Sequence, residues 1–143
     1  MPFDLIVPRL ESRENNTLMT RSRTGVTIGS WVLGDDYFPQ RFSPPASAEG
    51  GVVFAGFGIT APSIDHDDYA ESDATGKVVL LLTHEPGEYD PQSKFDGLAP
   101  TEHARLVRKA IEAERRGAIA VLFTSDTHNH NRSSSLTSAM DRA

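Results

Sequence analysis

The chain has 143 residues, 38% of them hydrophobic, with 20 acidic against 14 basic side chains and a net charge of −6. That length encloses one core, and an acidic balance with no basic run argues against a nucleic-acid backbone as partner. Cysteine is absent, which excludes disulfides and thiolate metal sites, and no apolar run approaches the ~20 residues a bilayer span needs.

In chain order, residues 1–24 read as polar and irregular, with one apolar piece at Leu5-Ile6-Val7. Met1-Pro2-Phe3-Asp4 lacks the basic head and apolar stretch of a signal peptide. The folded body is expected over 25–126. Val26-Thr27-Ile28 and Trp31-Val32-Leu33 read as short β segments split by Gly29, and Tyr37 to Pro45 suits an edge strand or packed loop. Val52 to Phe57 and Val78 to Leu82 read as buried strands. The segment 83–100 holds Pro86, Pro91 and Pro100 and reads as a loop.

A helix is expected over 101–116, with Thr101 as cap, Glu102 complementing the dipole and Gly117 as the left-handed stop. Its apolar face is read as Ala104, Val107, Ala110 and Ile111, widened by Leu106 and Ala113. Arg108–Glu112 and Glu112–Arg116 are i, i+4 pairs on its solvated face. Ala118 to Phe123 follows as a third buried strand. Strand 78–82, helix and strand 118–123 make one β-α-β unit with a right-handed crossover and parallel strands. The fold class is therefore α+β, with a β-rich first half curling into an open barrel, and not a doubly wound sheet. Residues 127–143 carry too little apolar surface to offset ordering entropy and read as a polar tail or boundary.

Gly56-Phe57-Gly58-Ile59-Thr60-Ala61 has the outline of a dinucleotide loop, G-x-G-x-x-A after a strand. That chemistry needs a helix N-terminus directly afterwards. Here Pro62 and an acidic run follow instead, with five carboxylates from Asp65 to Asp73 that would repel a phosphate. The glycines are read as a sharp bend that takes the strand out of its sheet. Asp67 and Asp68 are expected to accept backbone N–H groups in a turn, with Tyr69 packed inward.

Other constellations are weaker. His66 with the 65–73 acids has the outline of a zinc or calcium cluster, but catalytic zinc needs three ligands held in a packed pocket. His84-Glu85-Pro86 cannot continue as the helix of a zincin motif. His128 and His130 lie in the tail, and Ser125-Asp126 has no histidine partner that the sequence can name. No G-x-S-x-G elbow is present.

Taken together, Val52-Val53-Phe54-Ala55-Gly56-Phe57-Gly58-Ile59, Asp67-Asp68-Tyr69, Asp73 and Gly76-Lys77-Val78-Val79-Leu80-Leu81 resemble the protease-associated (PA) domain of zinc aminopeptidases and glutamate-carboxypeptidase-like enzymes. His84-Glu85-Pro86, Lys109-Ala110, Ala113 and Gly117-Ala118-Ile119-Ala120-Val121-Leu122 are similar to its later blocks, so the likeness covers about 24–126. Phe57 stands where a tyrosine is common, and the ends do not match. The resemblance implies an open or closed β-barrel flanked by helices, a lid that gates substrate access to a peptidase domain and has no catalytic, metal or cofactor residues of its own. It implies zinc in the parent peptidase domain, a peptide or protein substrate, and a secreted or periplasmic parent. Asp65, Asp67, Asp68, Glu85 and Glu88 are the residues expected to face partner or substrate, favouring basic or N-terminal amino groups. A free-standing protein-binding module and a small metal-dependent hydrolase are the alternatives.

Overall fold

In the computed structural model, residues 16–126 are described. They fall into two compact units, 16–44 and 45–126.

The first unit is a hairpin. β1 (Leu18–Arg21) pairs antiparallel with β2 (Thr27–Trp31), Leu18 opposite Trp31, with an irregular register between Thr20 and Arg21. Residues 18–21 thus form a strand where the sequence reads as irregular, because the turn from Ser22 to Val26 closes on itself through the Ser22 N–H to Val26 carbonyl bond (2.8 Å). Beyond Trp31 the chain does not extend as a strand. The Asp36 carboxylate accepts the Val32 N–H at 2.7 Å and turns it, leaving an isolated bridge between Leu33 and Tyr37.

The second unit is built on a three-stranded parallel sheet in the order β3 (Val52–Phe54), β6 (Val78–Leu82), β7 (Ala120–Thr124). Val52, Val78 and Ala120 lie level across it, as do Phe54, Leu80 and Leu122. The five apolar residues after Gly76-Lys77 form the central strand, with Val79 and Leu81 fully buried. The β-α-β unit read from the sequence is present. Its helix is shorter: a 3-10 turn at Glu102–Ala104 precedes α1 (Leu106–Arg115). Thr101 caps the 3-10 turn by accepting the His103 N–H at 3.2 Å, and the extended backbone of Arg105 separates turn from helix. Gly117 (φ +83) ends the helix as expected.

Side chains alternate across a strand, so the sheet has two distinct faces. Val53, Val79, Leu81, Val121 and Phe123 pack with Ala113 of α1 and with Tyr69, Ala74 and Ala118. The opposite face carries Val52, Phe54, Val78, Leu80 and Leu122, and Val52 and Phe54 remain 60% and 54% exposed.

Between β3 and β6 lies a small antiparallel pair, β4 (Thr60–Ala61) and β5 (His66–Asp67), joined by a 3-10 turn at Pro62–Ile64. The fold is α+β. Its described strands sit in three separate sheets of two, three and two strands and do not close into a barrel, because each short ladder ends without pairing to the next.

Candidate functional site

The C-terminal ends of parallel strands are where α/β sheets place their sites, and the glycine bend after β3 leaves from that edge. β3 leaves the sheet through Gly56 and Gly58, both at positive φ. At Gly58 any Cβ would stand 2.5 Å from Leu81 Cδ1, so the bend needs glycine to let the chain cross the buried central strand. No helix follows it: Pro62–Ile64 is a three-residue turn, and the dinucleotide outline lacks its anion-binding element.

The acidic turn is anchored from within. Asp67 Oδ1 accepts the Tyr69 N–H at 3.0 Å, and Asp68 Oδ2 accepts the Ile59 N–H at 3.0 Å, so both residues do what a turn requires of them. Tyr69 is buried at 4% exposure. Its hydroxyl finds no hydrogen-bond partner among the described residues, and its pKa is pushed up to about 12, first by burial and then by Glu112.

Arg116, at the end of α1, reaches this turn. Its Nη2 donates to Asp67 Oδ1 (3.1 Å), Asp67 Oδ2 (3.0 Å) and Thr60 Oγ1 (2.9 Å), its Nε donates to Glu112 (3.0 Å), and its guanidinium lies 5.2 Å from the Tyr69 ring centroid. Burial alone would raise the Asp67 pKa. The Tyr69 N–H, the guanidinium and the Thr60 hydroxyl outweigh it and hold the carboxyl below its usual value. His66 Nε2 lies 3.1 Å from Asp68 Oδ1, an ion-pair distance, but the alignment is not that of a hydrogen bond. The His66 ring meets Phe95 edge-on at 5.0 Å, and His103 meets the same ring at 5.8 Å.

Of the five residues expected to face a partner, Asp65 and Asp67 are exposed, while Asp68 and Glu88 are half-buried. Glu85 is corrected: at 3% exposure it faces inward. Its Oε1 accepts the Thr101 N–H at 2.8 Å and its Oε2 accepts the Thr101 hydroxyl. The carboxylate therefore fastens the start of the helical segment to the end of β6. Glu88 Oε1 lies 3.3 Å from His84 Nδ1. The histidines of the tail lie outside the described residues. Among the described residues, no three His, Asp or Glu side chains come together in a metal-holding group.

The residue that the periodicity misses is Lys109. The expected apolar face of α1 is wrong by about one position: Val107 and Ile111 are exposed, and the inward stripe is Leu106, Lys109, Ala110 and Ala113. Lys109 is 1% exposed. Its Nζ donates to the Leu82 carbonyl at 2.8 Å and to the His84 carbonyl, and sits 5.3 Å from the Phe57 ring centroid. Burial brings its pKa down to about 8, opposed by the nearby carboxylates of Asp68 and Glu85. One ammonium thus ties together the exit of β6, the bend after β3 and the helix. The available signal was its place at i, i+3, i+4 and i+7 with Leu106, Ala110 and Ala113, a pattern that a lysine hides.

Among the clefts of this unit, two adjoin these elements. One of about 200 Å³ runs between α1 and the bend, lined by Ile59, Thr60, Arg108, Ile111 and Glu112 among others. Both arginines that line it are engaged: Arg108 pairs with Glu102 at 2.7 Å and not with Glu112 as the spacing suggests, and Arg115 lies 3.8 Å from Glu112. The other, about 180 Å³, lies under the 83–100 loop. No helix among the described residues is long and apolar enough to cross a membrane.

No family model, curated protein or solved structure matches the chain.

Proposed function

We propose that the chain is a non-catalytic module of the protease-associated kind, which gates access to a zinc aminopeptidase-type domain of an extracytoplasmic parent protein. The observation that carries this reading is the half-covered parallel sheet. Such sheets are ordinarily covered on both faces, yet here α1 covers one face while Val52 and Phe54 stay exposed on the other. An apolar face of that kind is a surface for a neighbour. In this reading the sheet is part of an open PA-type barrel, and zinc belongs to the peptidase domain.

The carboxylates are consistent with a scaffold. Asp67, Asp68 and Glu85 hold backbone N–H groups, Arg116 or Thr101. A general acid or base needs reach to a substrate proton, and these are committed to the fold. The test is the sequence of the encoding locus on both sides of this segment. A zinc-peptidase domain in the same or an adjacent reading frame is expected. A product confined to this segment, with no peptidase encoded beside it, would favour the free-standing protein-binding module instead.

A further inference from the structure

The 83–100 loop, rich in proline and glycine, is tied to itself. The Tyr89 N–H donates to the Gly97 carbonyl at 2.7 Å, Ser93 Oγ donates to the Pro86 carbonyl at 3.0 Å, and the Phe95 N–H donates to Ser93 Oγ at 3.1 Å. Phe95 is buried at 4% exposure against Ile59 and Ala61, which pins the loop to the body. Gly97 (φ +67) is obligatory, since a Cβ there would fall 1.7 Å from the Asp90 carbonyl oxygen. From this fixed backbone two large apolar side chains project outward: Tyr89, held at φ +69, is 68% exposed and Leu98 is 74% exposed.

Between them lies the cleft of about 180 Å³, with Ala99, Pro100 and Ala104 in its apolar walls and Glu88 among its lining groups. It is smaller than the ~300 Å³ at which small-molecule pockets begin and is sized for one side chain. At its surface the loop carries Glu88, Asp90 and Asp96, Glu85 being turned inward to Thr101, against one lysine, Lys94, whose ammonium is turned to the Ile64 carbonyl at 3.3 Å. His84, which also lines the cleft, lies 3.3 Å from Glu88.

We propose that this cleft recognises an extended peptide segment in which an apolar side chain stands next to a positive charge. The apolar group enters between Tyr89 and Leu98, and the cation meets the negative field of the loop. A preordered loop avoids the ordering cost that a mobile one would incur on binding, and rigid exposed aromatics are common anchors of recognition surfaces. The proposal rests on the reading of the chain as a peptide-handling module without chemistry of its own, and names the peptide class that it would hold.

The test is an NMR titration of the ¹⁵N-labelled chain with the amidated peptide Ala-Leu-Lys-Ala-Gly and its counterpart Ala-Leu-Glu-Ala-Gly. The lysine peptide is expected to shift the amides of residues 88–89 and 97–99 saturably, with the glutamate peptide about tenfold weaker. Leu98→Ser and Glu88→Gln should each weaken binding about fivefold or more while the amides of β6 and β7 stay in place. Equal binding of both peptides, saturable shifts confined to other residues, or no saturable shift at all would overturn the site. Those results leave the non-catalytic reading to stand or fall on the encoding locus and on hydrolysis.

Discussion

Arg116 and Asp67, 49 residues apart in sequence, are joined by one guanidinium nitrogen that donates to both carboxylate oxygens, at 3.1 and 3.0 Å. The contact locks the acidic turn to the end of α1. The same nitrogen also reaches Thr60 Oγ1 at 2.9 Å, so a single side chain holds both strands of the β4–β5 hairpin.

Arg116→Met should therefore destabilise the fold, by roughly 1 kcal/mol given that both partners are about one-third exposed. The Asp67 pKa is depressed in the folded state, so its stabilisation is present above the ordinary value of 3.8 and is lost as pH falls through the lower folded value. Thermal melts should show a gap between wild type and variant at pH 6–7 that narrows below about pH 4. A gap that does not change with pH would mean that the contribution of Arg116 is packing on Tyr69 and not charge.

Lys109 moves stability in the same direction with pH but in an alkaline window and for a different reason, since burial disfavours its charged form. Its folded pKa of about 8 lies below the ordinary 10.5, so the unfolded chain binds the extra proton between those values. Stability from this group consequently rises with pH across that window, by on the order of 3 kcal/mol as an upper bound. Lys109→Met should remove that rise in urea titrations between pH 8 and 10.5. The readout is the slope and not the stability at pH 7, where the loss of the donor to the Leu82 and His84 carbonyls is offset by removal of the buried charge. A variant with the wild-type slope would show that Lys109 is not the titrating group.

Glu85→Ala removes the acceptor of both the Thr101 N–H and the Thr101 hydroxyl. The expected cost is about 2–3 kcal/mol, typical of a hydrogen-bonded buried charged group. Faster hydrogen exchange at residues 101–104, while β6 and β7 keep their protection, would show that the loss is local. Unchanged stability would return Glu85 to the surface role that the sequence suggests.

Gly58→Ala combines a positive φ with a Cβ placed 2.5 Å from the buried Leu81 side chain. The substitution should cost about 2–4 kcal/mol, read as a lowered urea midpoint. Leu81→Ala in the same background should recover part of the lost loop geometry, seen as restored amide shifts at 56–60, although it opens a cavity of its own. No recovery would place the strain elsewhere.

The parts of the fold that were legible in sequence are those with a local signal. β6 could be read because Val78 to Leu82 is an unbroken apolar run behind Gly76-Lys77, and the end of α1 because Arg115-Arg116-Gly117 combines last-turn cations with a left-handed stop. The bend at Gly56 and Gly58, and the turn roles of Asp67 and Asp68, were legible for the same reason. What was hidden depends on contacts distant in sequence. Nothing local says that β3 pairs parallel to β6, since the crossover between them is a hairpin and turn and not a helix. Glu85 reads as a surface acid until its bond to Thr101 is known. Lys109 is absent from the expected apolar face because its partners are backbone carbonyls 27 and 25 residues away.

Hydrolysis of leucine p-nitroanilide by the purified chain, loaded with one equivalent of zinc, tests the central claim that this is a module without catalysis of its own. The account predicts a rate equal to the enzyme-free blank at every protein concentration. Turnover that scales with zinc-loaded protein and disappears with His66→Ala or Asp68→Asn would contradict it, and would make the 65–73 turn the centre of a small metal-dependent hydrolase.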